Sequence, residues 1–271
     1  MQGKIRILFI GDLVGEPGRA IFQKHIATIR EKSAIDVVIV NGENSANDGR
    51  GITPTIMEFF KENGVDVVTT GNHVWAKKEI YPYFVDHKNL VRPANFPAGC
   101  PGSGVTVITT TSGVTIGVLN VQGRVFMREL VNCPFKAAES ALTYLQSRTN
   151  CILVDIHAET SSEKIGMGHF LDGKVSAVVG THTHVQTADE RILPGGTAFI
   201  TDAGFGGAVN SMIGMQTNII LKQMLTQMPA KYMVELNLPY QLCGVIITVD
   251  AQTGKATAIE RLKIIDDMVQ L

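Results

Sequence analysis

Cysteine is scarce in this chain and poorly placed for structural chemistry. Its four copies, Cys100, Cys133, Cys151 and Cys243, form no C-x-x-C pair and no disulfide-dense framework. Cys151 and Cys243 stand in or open apolar runs, so they are expected as buried thiols of a reducing, cytoplasmic compartment. Apolar runs long enough to span a membrane are missing as well. Lys4 and Arg6 lie inside an alternating strand pattern and precede no cleavable apolar segment. Neither sign of charge prevails: 24 Lys and Arg against 25 Asp and Glu leave a formal net charge of −1. Such a chain exerts no global pull on nucleic acid or an acidic membrane. An anionic substrate must be attracted locally, by a metal or a small basic cluster. Internal repeats and linkers rich in proline or glycine are also absent, which makes residues 1–271 one expected domain. With 45% hydrophobic and 18% charged residues, the composition is that of a compact globular enzyme rather than a disordered or coiled-coil protein.

What is present is a recurring arrangement: a short buried strand, a glycine, then a residue of metal-binding or proton-transfer type. Residues 4–10 (K-I-R-I-L-F-I) end in Gly11-Asp12. The run 15–18 then turns the chain into a helix expected from about Arg19 to Lys32, with Ile21, Phe22, Ile26 and Ile29 on one face and a structural His25 beside them. Residues 36–40 (D-V-V-I-V) lead to Asn41-Gly42-Glu43-Asn44, followed by a small polar loop over 45–51 that could cover a site. Thr53 caps and Pro54 opens the next helix, whose apolar face is Ile56, Phe59 and Phe60. Residues 66–70 (D-V-V-T-T) lead to Gly71-Asn72-His73. Three such ends in succession, separated by helix-forming segments, describe a βαβαβ half-sheet with one shared active edge.

The character changes after an extended loop at 92–97. Residues 105–109 and 114–119 around a turn at 111–113 predict a hairpin, so the sheet becomes mixed or a second one begins. A helix is expected over 134–147, with Ala137, Ala141, Leu142 and Leu145 inward. A buried strand over 151–156 ends in His157-Ala158-Glu159, and a short helix is expected over 163–171. The strand over 175–179 runs through Gly180-Thr181 into His182-Thr183-His184, at the carboxyl end where open α/β sheets place ligands. A strand over 198–201 precedes a glycine-rich, methionine-dotted run to Met215, expected to be flexible and to fold over a pocket. Residues 243–250 and 256–265 form a closing hairpin through Thr253-Gly254.

Collected, the strand-end residues are Asp12, Glu43, Asn44, Asn72, His73, His157, His182 and His184. Taken singly each has a plain explanation, Asp12 as a helix cap, Asn44 as a turn former, the histidines as satisfied or surface imidazoles. Taken together, carboxylate, amide and imidazole donors without cysteine suit hard or borderline divalent ions such as manganese, iron or zinc. The set exceeds the needs of one ion. A carboxylate such as Glu43 can bridge two, and a pair about 3.5–4 Å apart can bind a phosphate while activating a water for in-line attack. His73 need not be a ligand; it suits protonating a leaving oxygen or steadying charge on a phosphoryl group.

The order Gly11-Asp12, Gly42-Glu43-Asn44, Gly71-Asn72-His73, His157, Gly180-Thr181-His182-Thr183-His184 resembles the calcineurin-like metallophosphoesterase superfamily. Within it, the segments F-I-G-D-L-V-G-E-P-G-R, N-G-E-N-S-A-N-D-G-R-G-I-T, T-G-N-H-V-W, R-P-A-N-F-P and D-I-H-A-E-T-S-S-E-K are similar to the bacterial YmdB-like group over nearly the whole chain. The resemblance implies a four-layer α/β/β/α sandwich, two divalent metal ions (iron, manganese or zinc) and phosphodiesterase activity on 2′,3′- and 3′,5′-cyclic nucleotides. It implies one ion at Asp12, Glu43 and His184 with Asn44 nearby, a second at Glu43, Asn72, His157 and His182, and His73 as the acid. Val14 stands where the superfamily commonly has a histidine, and Glu43 where most branches have aspartate; both fit the YmdB-like branch. Gly207-Ala208-Val209-Asn210-Ser211 departs from the G-P-Y-D-S expected there, so no substrate contact is assigned to that loop.

The same cluster would serve a phosphomonoesterase or nucleotidase, because specificity lies in the loops rather than the ligands. A regulator with a sensing metal site and a protein partner is the reading from another class; His73, a proton-transfer residue, speaks against it. The expected partner is a small phosphodiester and no membrane. Met212, Ile213, Met215 and Met224 leave room for a homo-oligomeric contact.

Overall fold

The computed structural model describes residues 3–271. In chain order the first half contains β1 (Lys4–Ile10), β2 (Asp12–Leu13), α1 (Gly15–Lys32), β3 (Val37–Asn41), α2 (Pro54–Glu62), β4 (Val67–Thr69), α3 (Tyr83–Asp86), β5 (Leu90–Val91), β6 (Val105–Thr109) and β7 (Thr115–Gln122). The second half contains α4 (Pro134–Gln146), β8 (Cys151–His157), α5 (Ser161–Leu171), β9 (Ala177–Thr181), β10 (Arg191–Ile192), β11 (Ala198–Ile200), β12 (Phe205–Ala208), α6 (Thr217–Thr226), β13 (Tyr240–Asp250) and β14 (Ala256–Asp266).

These strands make two sheets in a mixed α/β protein. The first has the order β2-β12-β13-β1-β3-β4-β5, with β14 paired to β13. The second has the order β10-β11-β9-β8-β7-β6. β1, β3, β4 and β5 run parallel, as do β7, β8, β9 and β11, so the carboxyl ends within each set share an edge.

The period of two along each strand decides which side chain goes where. In β1, Ile7 and Phe9 join a cluster with Val118, Leu153, Val179 and Ile200 of the other sheet. Leu8 and Ile10 point the other way and pack with Ile21, Phe22 and Ile26 of α1 and Phe60 of α2. On the far face of the second sheet, Leu119, Val154 and Val178 pack against Leu142 and Leu145 of α4 and Met167 and Leu171 of α5. Strands buried on both faces read as the unbroken apolar runs D-V-V-I-V and C-I-L-V-D-I.

Several expectations are corrected. The first helix begins at Gly15, not Arg19, because Pro17 falls in its first turn, where a missing N–H costs nothing. In α4 the buried alanine is Ala138, while Ala137 and Ala141 are half-buried. The run after Asp202 is not a loose flap: Phe205–Ala208 is strand β12, held parallel to β2 and antiparallel to β13. Its glycines depress strand propensity, and pairing on both sides overrides that. Thr217–Thr226, not anticipated as an element, is helix α6. Met215 is buried, so it offers nothing to a subunit contact. The described cysteines are free thiols, with Cys151 and Cys243 buried. Among the described residues no helix is long and apolar enough to cross a membrane.

Candidate metal centre

The carboxyl ends of both sheets deliver the strand-end residues to one place. Asp12 opens β2 directly after β1; Glu43 and Asn44 follow β3, and Asn72 and His73 follow β4. His157 is the last residue of β8, and His182 and His184 follow β9 in the second sheet. Close approach at this edge demands glycine. A Cβ at Gly71 would fall on the His157 ring and the Glu43 carboxylate, and one at Gly180 would strike the Thr201 carbonyl.

Glu43 is at the centre. Its Oε2 accepts the backbone N–H of His73 at 2.9 Å, and its Oε1 lies 3.1 Å from His157 Nε2. The same imidazole nitrogen is 2.9 Å from Asn72 Oδ1 and 3.0 Å from His182 Nδ1. One donor atom each from Glu43, His157 and His182 all lie within 4.8 Å of one another. On the other side, Asn44 Nδ2 is 3.1 Å from His184 Nε2, 3.4 Å from Asp12 Oδ1 and 3.3 Å from Glu43 Oε1. His184 Nε2 is 3.8 Å from Asp12 Oδ1. His73 stands beside the cluster, its Nε2 3.5 Å from Asn72 Nδ2.

Partners behind the cluster set which ring nitrogen faces inward, the usual role of outer hydrogen bonds around metal ligands. His184 Nδ1 donates to the Ile213 carbonyl at 2.9 Å, leaving the lone pair of Nε2 directed at Asp12 and Asn44. His157 Nδ1 sits 2.9 Å from Thr181 Oγ1, which donates to Asp155 Oδ1 at 2.7 Å. His182 Nε2 is 3.1 Å from Glu159 Oε2, so its Nδ1 turns inward. The histidine loop itself is strained, with φ of +101° at His182 and +61° at His184. It is tied down by Asp202, which accepts from Thr183 N at 3.1 Å, Thr183 Oγ1 at 2.7 Å and Lys164 Nζ at 2.7 Å. The Lys164–Asp202 pair is fully buried.

The electrostatics describe a buried site short of positive charge. Burial raises the Asp12 pKa against the pull of His184 and His157, with Glu43 and Asp202 adding to the rise. Burial also works to raise Glu43, but His157 and the His73 N–H outweigh it and hold that carboxyl well below the usual range. Burial disfavours a charged His157, yet Glu43, Asp12 and Asp155 push its pKa up to about 9. The carboxylates thus favour positive charge at the point where the donors converge. Burial and His157 together lower His182 to about 3, keeping it neutral with a free lone pair. Oxygen and nitrogen donors, buried and converging on a demand for positive charge, fit divalent cations. Among the described residues one group, Glu43, His157 and His182, has its donor atoms close enough together to share an ion.

The sequence pattern missed the supporting shell. Asp155, whose pKa burial lifts to about 7, and Thr181 and Thr69 behind it sit inside apolar strands without a local signal. Lys164, on helix α5, and Asp202, just past β11, were missed as well. A polar residue inside an otherwise apolar strand, as Asp155 is in C-I-L-V-D-I-H, was the one available sign.

Two sheets whose strand ends aim carboxylates, amides and imidazoles at a common point place the chain among α/β phosphoesterases of the metallophosphoesterase type. Comparison with known proteins agrees. Residues 8–262 match the family described as YmdB-like protein. The chain is 46% identical over 263 residues to a Bacillus subtilis protein named 2′,3′-cyclic-nucleotide 2′-phosphodiesterase, covering 97% of this chain and 98% of that one. Among solved structures, one described as a novel phosphatase, from Mycoplasma pneumoniae, superposes with TM-score 0.91 at 34% identity, covering 98% of this chain and 95% of the other. A hypothetical protein from Thermus thermophilus superposes with TM-score 0.89 at 36% identity over 97% of this chain and 100% of the other. This chain belongs to the YmdB-like family.

Proposed function

We propose that the protein is a phosphoric diester hydrolase acting on cyclic nucleotides, 2′,3′-cyclic forms first and 3′,5′-cyclic forms within the same activity. The convergence of Glu43, His157 and His182 on one point carries the reading. The name of the B. subtilis relative supports the substrate. The fold is taken as one domain over 1–271 in four layers, helices outside two facing sheets. Three apolar clusters in the order helix–sheet, sheet–sheet and sheet–helix support that.

In this reading one ion is held by Asp12, Glu43 and His184 with Asn44 beside it. The second is held by Glu43, Asn72, His157 and His182, and the metal is iron, manganese or zinc. When bound, such ions supply Lewis acidity to a phosphoryl oxygen and make water acidic enough to attack phosphorus near neutral pH. The protein's own groups do the rest. Ile213, Thr181 and Glu159 hold the three imidazoles in the tautomers that face inward. Glu43 fixes the His73 backbone and so places its ring beside Asn72. Burial, with His157 and Arg50 adding, lowers the His73 pKa against the pull of Glu43. In the acid role proposed here the protonated ring gives its proton to the leaving ribose oxygen and is left neutral, and the lowered pKa makes that proton easier to give up.

The test is turnover of 2′,3′-cyclic AMP, 3′,5′-cyclic AMP, bis-p-nitrophenyl phosphate and p-nitrophenyl phosphate by metal-analysed protein. Diester hydrolysis that tracks about two ions per chain and collapses in Glu43→Gln is the expected result. Preference for the monoester would instead make the protein a phosphatase, as the M. pneumoniae relative is described. Absence of turnover in metal-loaded wild type would remove both.

A further inference from the structure

The cavity lined by the candidate metal ligands is small for a nucleotide. It encloses ≈ 130 Å³ between Glu43, Asn44, His73, His182 and His184 on one side and Tyr232 with its neighbours on the other. Sites for ligands of nucleotide size run from about 300 to 1,000 Å³. A phosphate and part of a ribose fit; the base must go elsewhere.

A second cavity of ≈ 690 Å³ adjoins it. The two share His184, Ile213, Ile220 and Tyr232, so the second cavity lies directly beside the first. The walls are of mixed character. Near the metal centre are Phe205, stacked on His184 with centroids 5.5 Å apart at 17°, and the flat ring of Tyr232. Met212 and Met224 add to the apolar lining, and Gln186, Gln241, Arg261 and Lys263 supply its polar part. Arg261 is partnered by Glu190 at 2.8 Å. Among the described residues, Lys263 has no carboxylate within 4.0 Å. In a chain of net charge −1, the unpaired Lys263, with the Arg261–Glu190 pair beside it on the wall of an apolar slot, is a local device for an anion.

We propose that this second cavity receives the nucleoside next to the reacting phosphate and, at Lys263 and Arg261, the phosphodiester that precedes it. The preferred substrate is then an oligonucleotide ending in a 2′,3′-cyclic phosphate, not a free cyclic mononucleotide. The inference rests on the phosphodiesterase reading above and names its substrate class. Water adds its oxygen to phosphorus, the P–O2′ bond breaks, the 2′-oxygen takes a proton, and a 3′-phosphomonoester remains. Ends of this kind are formed when RNA is cleaved by attack of a 2′-hydroxyl on the adjacent phosphodiester, so the reaction would follow transesterifying RNA cleavage.

The experiment compares adenosine 2′,3′-cyclic phosphate with the dinucleotide ApA bearing a terminal 2′,3′-cyclic phosphate, and with the same dinucleotide carrying a neutral methylphosphonate linkage. The charged dinucleotide should show kcat/KM about tenfold above the mononucleotide, mostly through KM, the size of one hydrogen-bonded charge contact. Lys263→Gln should erase that advantage, as should the neutral linkage, with the mononucleotide rate unchanged. Met224→Trp, which fills the slot, should slow the dinucleotide but not bis-p-nitrophenyl phosphate. Equal kcat/KM for the mononucleotide and dinucleotide, or an advantage that survives Lys263→Gln, overturns the proposal. If wild type hydrolyses no diester, the phosphodiesterase reading fails. Calorimetric binding of ApA 3′-phosphate to wild type and Lys263→Gln then decides the cavity alone: weaker binding in the variant sustains it, and equal binding removes it.

Discussion

Replacing Lys164 by Met should destabilise the protein and loosen its metal centre together. The ammonium and the Asp202 carboxylate it meets at 2.7 Å are both fully buried. Removing one member of such a pair strands the other charge, at a cost of about 3–5 kcal/mol. Asp202 would keep three further donors, Thr183 N at 3.1 Å, Thr183 Oγ1 at 2.7 Å and Gly204 N at 2.8 Å. These still satisfy part of the carboxylate, so the lower end, about 3 kcal/mol, is expected. For a chain of this size that lowers Tm by about 6–12 °C. The measurement is thermal unfolding in EDTA, because bound metal would add its own stabilisation to the folded state. Asp202 also pins Thr183, between two histidines held at positive φ. Metal affinity by titration calorimetry should therefore fall about 10- to 100-fold, the usual penalty for losing support behind metal ligands. A variant that melts within about 2 °C of wild type in EDTA and binds metal unchanged would refute both the burial argument and the coupling to the loop.

His73→Ala should reduce cyclic nucleotide hydrolysis by about 10²–10⁴-fold while costing less than about tenfold on bis-p-nitrophenyl phosphate, whose leaving group needs no proton. Equal losses on the two substrates would remove the donor role. Away from the metal donors, Asp266 binds Lys24 at 2.8 Å, His25 at 2.7 Å and the Met268 N–H at 2.8 Å, joining the end of β14 to α1. Chiefly the Lys24 bond, then the Met268 N–H, lower its pKa from 3.8 to about 2. A depressed folded pKa means that the contribution is whole above the unfolded value and disappears as pH falls through the folded one. Stability should therefore decline between about pH 4 and pH 2, and urea titrations of Asp266→Asn should show a flatter decline there; an identical slope would contradict it.

Local chemistry made much of this protein legible before any coordinates. Buried strands announce themselves as β-branched runs, and a glycine at or after the end of most of them marks where the backbone leaves the sheet, though the strand ending in His157 has none. Asp12, Glu43, Asn72, His157 and His182 are all found at such exits. The errors fall where pairing overrules propensity. Gly206 and Gly207 read as a flexible run, yet β12 holds them between β2 and β13. The run 15–18 reads as the turn before a helix that in fact includes it. Lys164 reads as an ordinary helix-surface lysine, and only the position of Asp202 38 residues later makes it a buried one.

The sequence by itself determined the residue types at the strand ends and the parallel half-sheet, because each is a property of neighbouring residues. Tertiary structure alone decided that the two sheets would face each other through Phe9, Val118 and Val179 with their active edges on the same side. That packing carries His157 and His182 to within reach of Glu43 across more than a hundred residues of chain. It also sets a ≈ 690 Å³ cavity behind His184 from residues as distant as Phe205 and Lys263. Periodicity says which face of a strand is buried but not what it is buried against. Partner, distance and enclosed volume follow only from the packing of one apolar face on another.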